Sequence, residues 1–249
     1  MDHRTELQAG CFVTHIDLLD LDTEGTLRWA QVIGRNDRAE ALSLFYLEVE
    51  PGQSPVINPG ESDAVLFLLE GAGELHICER EFELSEACGA HVRAGESFAI
   101  INPGTRAARY LISFCPRRKG LAFSEDIGAF DARFPDRVVD GGRAESQATG
   151  DRYYRLLVGP ATGSEQVTQF IGSIPKSRAP EHHHLYEEAI CILSGEGKMW
   201  NGEKSAPVRP GTLIFLPRKQ PHCLECESEA NMTLMGVFYP AGSPAVSYS

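Results

Sequence analysis

The chain has 249 residues, of which 42% are hydrophobic and 23% are charged, and this composition is typical of a soluble globular protein. Its length allows one large domain or two small ones. The net charge of −12 argues against a surface that binds nucleic acid or an anionic membrane, because such surfaces need clustered lysines and arginines.

The sequence also bears on location and partners. No apolar run approaches the roughly 18 residues that a membrane-spanning helix needs, and the polar start MDHRTELQ is not a signal peptide. The seven cysteines are odd in number and scattered, which favours reduced thiols over a disulfide framework. We therefore expect a cytoplasmic protein with no nucleic-acid or membrane partner.

The N-terminal half alternates apolar runs with glycine-containing turns. Gly10 to Gly34 contains short apolar segments that we interpret as edge strands. The runs VLFLLEGAGEL, starting at Val65, and AGESFAIINPGTRAARYLISF, starting at Ala94, predict further strands.

The segment from Pro116 to Gly150 differs from its surroundings, because it is rich in charge, glycine and alanine and shows no sustained alternation. We interpret it as a connection between domains, with a short helix around Ile127 to Arg133. The predicted division is a first unit at 1–118, a connection at 119–150 and a second unit at 151–249, whose first strand contains YYRLLVG.

The second unit contains the stretch PEHHHLYEEAICILSGEG, from Pro180 to Gly197. Side chains alternate between faces on an extended strand, so His182, His184 and Glu188 point to the same side. His183 and Glu187 point away, and Ile190 and Ile192 continue the inward face. Three consecutive histidines are also compatible with a solvated turn, but the pattern favours a set of metal ligands.

A later stretch, PGTLIFLPRKQPHCLEC, predicts a short strand and a turn that bring His222 to the same place as a fourth ligand. Three imidazoles and a carboxylate suit one divalent transition metal, such as Mn, Fe, Co, Ni, Cu or Zn, with one or two positions open for water or substrate. In this arrangement Glu188 is a ligand or, if it leaves the metal, a catalytic base.

These residues resemble the two metal motifs of the cupin superfamily. The pattern H-x-H-x3-E-x6-G matches at His182, His184, Glu188 and Gly195, and G-x5-P-x4-H matches at Gly211, Pro217 and His222. The resemblance implies an all-β fold of double-stranded β-helix (jelly-roll-like) barrels with the metal inside, and it is compatible with a homodimer. Two positions depart from the family pattern: Lys219 replaces a usual glycine and Cys226 a usual asparagine.

The chain also contains an internal repeat. A shift of 124 residues places Leu47 to Gly73 on Ile171 to Gly197. If the first copy is then eight residues longer, the four candidate ligands fall on the following residues of the first copy: Asn58, Gly60, Ala64 and Arg106. The resemblance therefore implies a bicupin, with a degenerate N-terminal barrel that lacks metal ligands. Arg106 either pairs with a carboxylate such as Glu61 or Asp63 or turns to solvent.

Fold and metal do not select the chemistry of a cupin. The leading hypothesis is a metal-dependent enzyme that acts on a small oxygen-rich organic molecule, of the dioxygenase type and similar to quercetinase-like bicupins. One alternative is a metal-dependent isomerase or aminohydrolase of a carbonyl substrate, since the layout also resembles ureidoglycine aminohydrolase, whose motif differs in its ligands. Another is a non-catalytic protein that binds a small ligand.

Overall fold

The computed structural model describes residues 4–246, and they fold as the all-β protein that the sequence predicts. All strand pairings are antiparallel, and the two larger sheets each form one wall of a barrel. The sheet of the C-terminal barrel, called the second large sheet below, has eight strands. Their order is β1 (Thr5–Glu6), β2 (Phe12–His15), β20 (Thr212–Leu216), β17 (Glu187–Ser194), β22 (Met232–Tyr239), β16 (Thr168–Ile174), β15 (Arg152–Val158) and β14 (Gln147–Thr149).

The first large sheet has seven strands, in the order β13 (Val138–Asp140), β10 (Cys88–Val92), β7 (Asp63–Glu70), β12 (Ala108–Cys115), β5 (Ser43–Val49), β4 (Leu27–Ile33) and β3 (Asp22–Glu24). A small sheet closes each barrel. In the N-terminal barrel the small sheet is β6 (Gly52–Gln53), β11 (Phe98–Asn102), β8 (Ala72–Ile77) and β9 (Arg80–Ser85). In the C-terminal barrel it is β19 (Lys204–Val208), β18 (Gly197–Asn201) and β21 (Cys223–Cys226).

Three hydrophobic cores follow from this arrangement. One fills each barrel, and the third, the interface core, lies between the two large sheets and takes residues from both. Strand β17 shows how alternation serves two cores at once, because Ile190 and Ile192 face the interior of the C-terminal barrel whereas Ala189 and Cys191 face the interface core. The barrels are therefore packed wall to wall.

The strand pairing corrects the ends of the predicted domains. Strand β2 pairs with β20, so residues 12–15 belong to the second large sheet although they precede the N-terminal barrel in sequence. In the opposite direction, β13 from the predicted connection pairs with β10 of the N-terminal barrel. Each barrel is thus completed by a strand that lies outside its predicted boundaries of 1–118 and 151–249.

The helix predicted around Ile127 to Arg133 does not form, and this part of the described chain contains only irregular structure and a turn. Aspartate side chains compete for the backbone donors that a helix would use, since Asp126 Oδ1 accepts from Gly128 N and Asp131 Oδ1 from Arg133 N. Gly128 also adopts a left-handed φ of 69°. Within residues 4–246, no helix is long and apolar enough to cross a membrane.

The registers of the two barrels correct the predicted repeat. Ile101 pairs with Glu74 just as Glu225 pairs with Lys198, so the offset of 124 residues continues through the small sheet. The eight-residue difference assumed from the sequence is therefore wrong, and Phe98, not Arg106, occupies the position of His222.

The turns explain why the sequence misplaced this register. Ala87 (φ 66°) corresponds to Gly211 (φ 86°), and Gly95 (φ 84°) corresponds to Lys219 (φ 60°). Each left-handed position has glycine in only one copy, so matching glycine to glycine shifts the alignment. Arg106 itself is 86% exposed and lies 3.8 Å from Glu70, which fits the solvent-facing alternative.

Candidate metal centre

Two backbone elements bring the predicted ligands together at the mouth of the C-terminal barrel. His182 and His222 face each other in an isolated antiparallel bridge, with N–H to C=O distances of 3.0 and 2.8 Å. The loop from His182 then enters β17, on which Glu188 is the second residue. The backbone N–H of Lys219 donates to the carbonyl of His184 at 2.7 Å, and this bond ties the two loops together.

Hydrogen bonds fix the orientation of two imidazoles. The Nδ1 of His182 lies 3.1 Å from the carbonyl oxygen of Pro180, and the Nδ1 of His222 lies 2.8 Å from that of Gln220. If each Nδ1–H donates to its carbonyl, each Nε2 is left with a lone pair that can bind a metal. The ligand atoms of His182, His184 and His222 all lie within 4.8 Å of one another, so one ion could contact all three.

Glu188 lies beside this triad. Its Oε2 is 3.5 Å from His184 Nε2, and its side chain is only 5% exposed. In the metal-free protein, burial raises the pKa of Glu188 to about 8 because the ionised carboxylate loses its hydration. A divalent cation within reach would reverse this effect by stabilising the anion.

The imidazoles are in the form that ligates metals. Burial, followed by repulsion from neighbouring imidazoles, lowers the pKa of His184 to about 3 and that of His222 to about 4. Burial also lowers the pKa of His182. All three side chains are therefore neutral near pH 7, and the donor set of neutral imidazoles and a carboxylate fits a divalent transition metal.

An aromatic stack holds His184 in place. The ring of His184 lies 4.8 Å from that of Tyr186 with an interplanar angle of 13°, and Tyr186 in turn stacks on Phe238 at 4.2 Å. Tyr186 has the same parity as the ligands and is buried, so it supports the site from within the barrel.

A cavity of about 380 Å³ opens beside the four residues. Its walls are largely apolar and include Phe170, Ile174, Leu224, Leu234 and Phe238. The polar groups lie at one side, where the β14–β15 hairpin contributes Asp151, Arg152 and Tyr154. The arrangement leaves room for an organic molecule next to the candidate metal position.

Several polar and sulfur-containing residues close in sequence to the candidate ligands lie away from the cavity. Glu187 faces the interface core, Glu225 accepts a hydrogen bond from Trp200 Nε1 at 2.7 Å, and Cys223 is buried beside Arg178. Cys226 lies in the core of the C-terminal barrel near the carbonyl oxygens of Ser228 and Ala230, and it does not line the cavity. Met199, which follows the Gly195 to Gly197 turn, also packs in this core and not on the cavity wall.

Sequence reasoning missed Arg152. The alternation in RYY places Arg152 on the same face of β15 as the buried Tyr154. Only the closure of the barrel shows that this face lines the cavity beside the candidate ligands, which we call the metal cavity.

The N-terminal barrel has apolar side chains at the corresponding positions. Ile57 and Phe98 form the bridge that corresponds to His182 and His222, and Ala64 corresponds to Glu188. Ile57 thus takes the bridge position of His182, one residue before the Asn58 that the offset of 124 residues assigns to it. All three apolar residues are fully buried or nearly so, and none carries an atom that binds a metal.

Comparisons with known proteins agree with this architecture. The Cupin domain family matches residues 172–238, which include all four candidate ligands. No curated protein sequence matches the chain. Among solved structures, a mutant of Bacillus subtilis oxalate decarboxylase OxdC is 11% identical, with a TM-score of 0.73 over 91% of this chain and 76% of that chain.

Two further structures superpose over nearly their whole length. Lactobacillus farciminis oxalate decarboxylase, as a formate complex, is 12% identical, with a TM-score of 0.72 over 93% of this chain and 87% of that chain. Protein Ylba from E. coli is 11% identical, with a TM-score of 0.75 over 96% and 94%. At these identities the likeness establishes the fold, and the predicted pair of tandem cupin barrels is confirmed.

Proposed function

We propose that this member of the cupin superfamily is a metal-dependent enzyme that acts on a small oxygen-rich organic molecule. The observation that carries the proposal is the convergence of three neutral imidazoles and a buried carboxylate at the edge of an open cavity. A site that only stabilised the fold would have no need of an adjacent cavity of this size.

In this proposal His182, His184, Glu188 and His222 hold one divalent metal ion. A bound ion would supply Lewis acidity and, if it is Mn or Fe, redox chemistry. The apolar walls would exclude bulk water from the substrate, and the carbonyl groups of Pro180 and Gln220 would keep two imidazoles aimed at the centre. Glu188 would balance part of the metal charge.

The finer proposal is an oxidoreductase of the dioxygenase type. Apart from the four candidate ligands, the cavity lining in the described chain offers few groups for proton transfer, namely Asp151, Tyr153 and Tyr154. Tyr154 is already engaged, because its hydroxyl donates to Gln147 Oε1 at 2.7 Å. A site with so little acid–base machinery favours chemistry that the metal itself performs.

A second candidate is a reaction that does not consume oxygen, such as decarboxylation, isomerisation or hydrolysis at a carbonyl group. The fold likeness to oxalate decarboxylases supports the first of these, and Glu188 could then serve as a base if it left the metal. The assays must therefore separate oxygen uptake from other turnover.

The first experiment is elemental analysis of untagged protein purified without chelators. We expect about one transition-metal ion per chain, and the substitutions His182→Ala and His222→Ala should each remove it while the barrels stay folded. His183→Ala is the matched control, because His183 is adjacent but does not belong to the cluster. Unchanged metal content in the first two variants would refute the ligand assignment.

The second experiment follows oxygen consumption and carbon dioxide release with catechols, flavonols, short keto acids and oxalate. Oxygen uptake that depends on both substrate and metal would support the dioxygenase proposal. Carbon dioxide release or product formation without oxygen uptake would support the second candidate instead.

A further inference from the structure

The metal cavity contains one side chain with a permanent positive charge. Arg152 is the first residue of β15 and lines the cavity together with His182 and Glu188. Its side chain is 23% exposed, so the guanidinium is largely covered by protein but still faces the open space.

The guanidinium of Arg152 has N–H donors that the described part of the chain does not use. Among residues 4–246, its side chain makes no hydrogen bond, although it offers five N–H donors. Its one ionic contact is to Asp151, at 3.8 Å, and the carboxylate of Asp151 is 67% exposed. An adjacent, solvated carboxylate at this distance holds an arginine only weakly.

Other arginines of the chain show what a structural arginine looks like here. Arg137 is fully buried and donates to Glu96 through two nitrogens, at 2.6 and 2.8 Å, and to backbone carbonyls as well. Arg178, close to the same barrel mouth, stacks on Trp200 at 4.0 Å and does not line the cavity. Arg152 has no comparable structural role.

The position of Arg152 relates it to the metal centre. Arg152 lines the same cavity as His182, His184, Glu188 and His222, so its guanidinium and the ligand cluster face one shared space. A divalent ion bound by neutral imidazoles and one carboxylate would leave this part of the cavity positively charged, although the protein as a whole carries −12.

We propose that Arg152 binds a carboxylate of the substrate, so that the cavity takes small organic anions which reach the metal with an oxygen at one end and Arg152 with a carboxylate at the other. Arginine suits this task because its planar N–H groups match the two oxygens of a carboxylate. This inference rests on the proposed metal-dependent function and specifies its substrate class.

The test compares probes that differ only in one charge. Cobalt-loaded protein is titrated with malate and 2-hydroxyglutarate, and with the monocarboxylates 2-hydroxybutanoate and 2-hydroxypentanoate, in which a methyl group replaces the second carboxylate, while the cobalt absorption spectrum is recorded. We expect the wild-type protein to bind at least one dicarboxylate about tenfold more tightly than its counterpart. Arg152→Met should reduce that ratio to about twofold or less, without changing cobalt stoichiometry or the affinity for the monocarboxylate probe.

Three controls complete the design. Arg178→Met removes a nearby charge outside the cavity and should leave the ratio unchanged. Asp151→Asn removes the competing carboxylate and should raise the ratio. Arg152→Lys retains the charge and should retain part of the preference. Equal binding of dicarboxylate and monocarboxylate probes by the wild-type protein, or an undiminished ratio in Arg152→Met, would overturn the proposal.

A further measurement separates the proposed metal-dependent function from the proposed role of Arg152. The metal is removed with a chelator, and binding of the same probes is then measured by their effect on the melting temperature. Failure to bind cobalt would contradict the proposed metal-dependent function. A charge preference that depends on Arg152 should persist in weaker form without the metal, and its absence there as well would contradict the role of Arg152.

Discussion

Glu187 and Glu188 are neighbours on strand β17, and their carboxylates serve opposite sides of the C-terminal barrel. Glu188 faces the metal cavity, whereas Glu187 faces the N-terminal half and accepts the backbone N–H groups of Glu40, Ala41 and Leu42 at 2.7, 2.9 and 3.1 Å. Both residues are at most 4% exposed. Strand β17 therefore presents a candidate metal ligand on one face and, on the other, a carboxylate whose hydrogen bonds join the two barrels.

Glu187→Ala should destabilise the protein without affecting its metal. The substitution leaves three backbone donors without their partner in the interface, and we expect a loss of about 3 kcal/mol in the free energy of unfolding. Urea denaturation measures this loss, and elemental analysis measures the metal content.

Glu188→Gln is the matched change on the opposite face and should give the reverse result, with lowered metal content and a smaller change in stability. A loss of metal in the Glu187 variant comparable to that in the Glu188 variant would contradict the division of roles between the two carboxylates.

Metal binding should release about one proton per ion at pH 7. The raised pKa of Glu188, about 8, keeps its carboxyl group mostly protonated in the metal-free protein, and it must ionise to become a ligand. The histidines contribute little, because their lowered pKa values leave them already neutral at this pH.

Calorimetric titrations in buffers of different ionisation enthalpy measure this proton release. The release should fall towards zero at pH 9, where Glu188 is already ionised, and it should be absent in Glu188→Gln at pH 7. A release that persists unchanged at pH 9 would show that another group supplies the proton.

The buried pair of Arg137 and Glu96 should contribute strongly to the anchoring of the connecting segment. Both side chains are at most 3% exposed, and Glu96 also accepts the backbone N–H of Asp131 at 2.7 Å. Arg137→Ala would leave the carboxylate buried without its partner, and we expect a loss of about 3–5 kcal/mol in the free energy of unfolding.

Arg133→Ala is the control for this prediction. Arg133 pairs with Asp131 at 2.7 Å but is 78% exposed, so water screens the pair and its loss should cost much less stability than the loss of Arg137. Denaturation by urea would contradict the prediction if the two variants lost similar stability.

The sequence predicted which faces the side chains around the candidate site occupy, because that signal is local. The alternation from His182 to Ile192 assigns each side chain to a face, and the structure places Glu188 and Ile190 inside and Glu187 outside. The position of His222 was predictable as well, because PGTLIFLPRKQPHCLEC has the pattern of a strand followed by a turn. In the structure His222 lies opposite His182, although forty residues separate them.

The features that the sequence did not predict depend on contacts between distant segments. The residues around Arg152 in sequence do not show that its strand lines the cavity. The residues around Phe98 do not show that it takes the position of His222, because the left-handed turn positions have glycine in only one of the two copies. The exchange of strands between the barrels is of the same kind, because the short run around Phe12 could complete either large sheet.

Phe12 provides a test of that strand exchange. Its ring is 1% exposed in the interface core and lies 5.8 Å from that of Phe215, with which it also pairs across β2 and β20. Phe12→Ala would remove this contact, and we expect the free energy of unfolding to fall by about 3–5 kcal/mol. Leu18→Ala, in the same N-terminal segment but 46% exposed, should change it by less than about 0.5 kcal/mol.

Because β2 covers the edge of β20, hydrogen exchange in Phe12→Ala should rise first at residues 212–216 of the C-terminal barrel. An increase confined to the N-terminal barrel would show that the first strands belong to that unit, as the sequence had predicted.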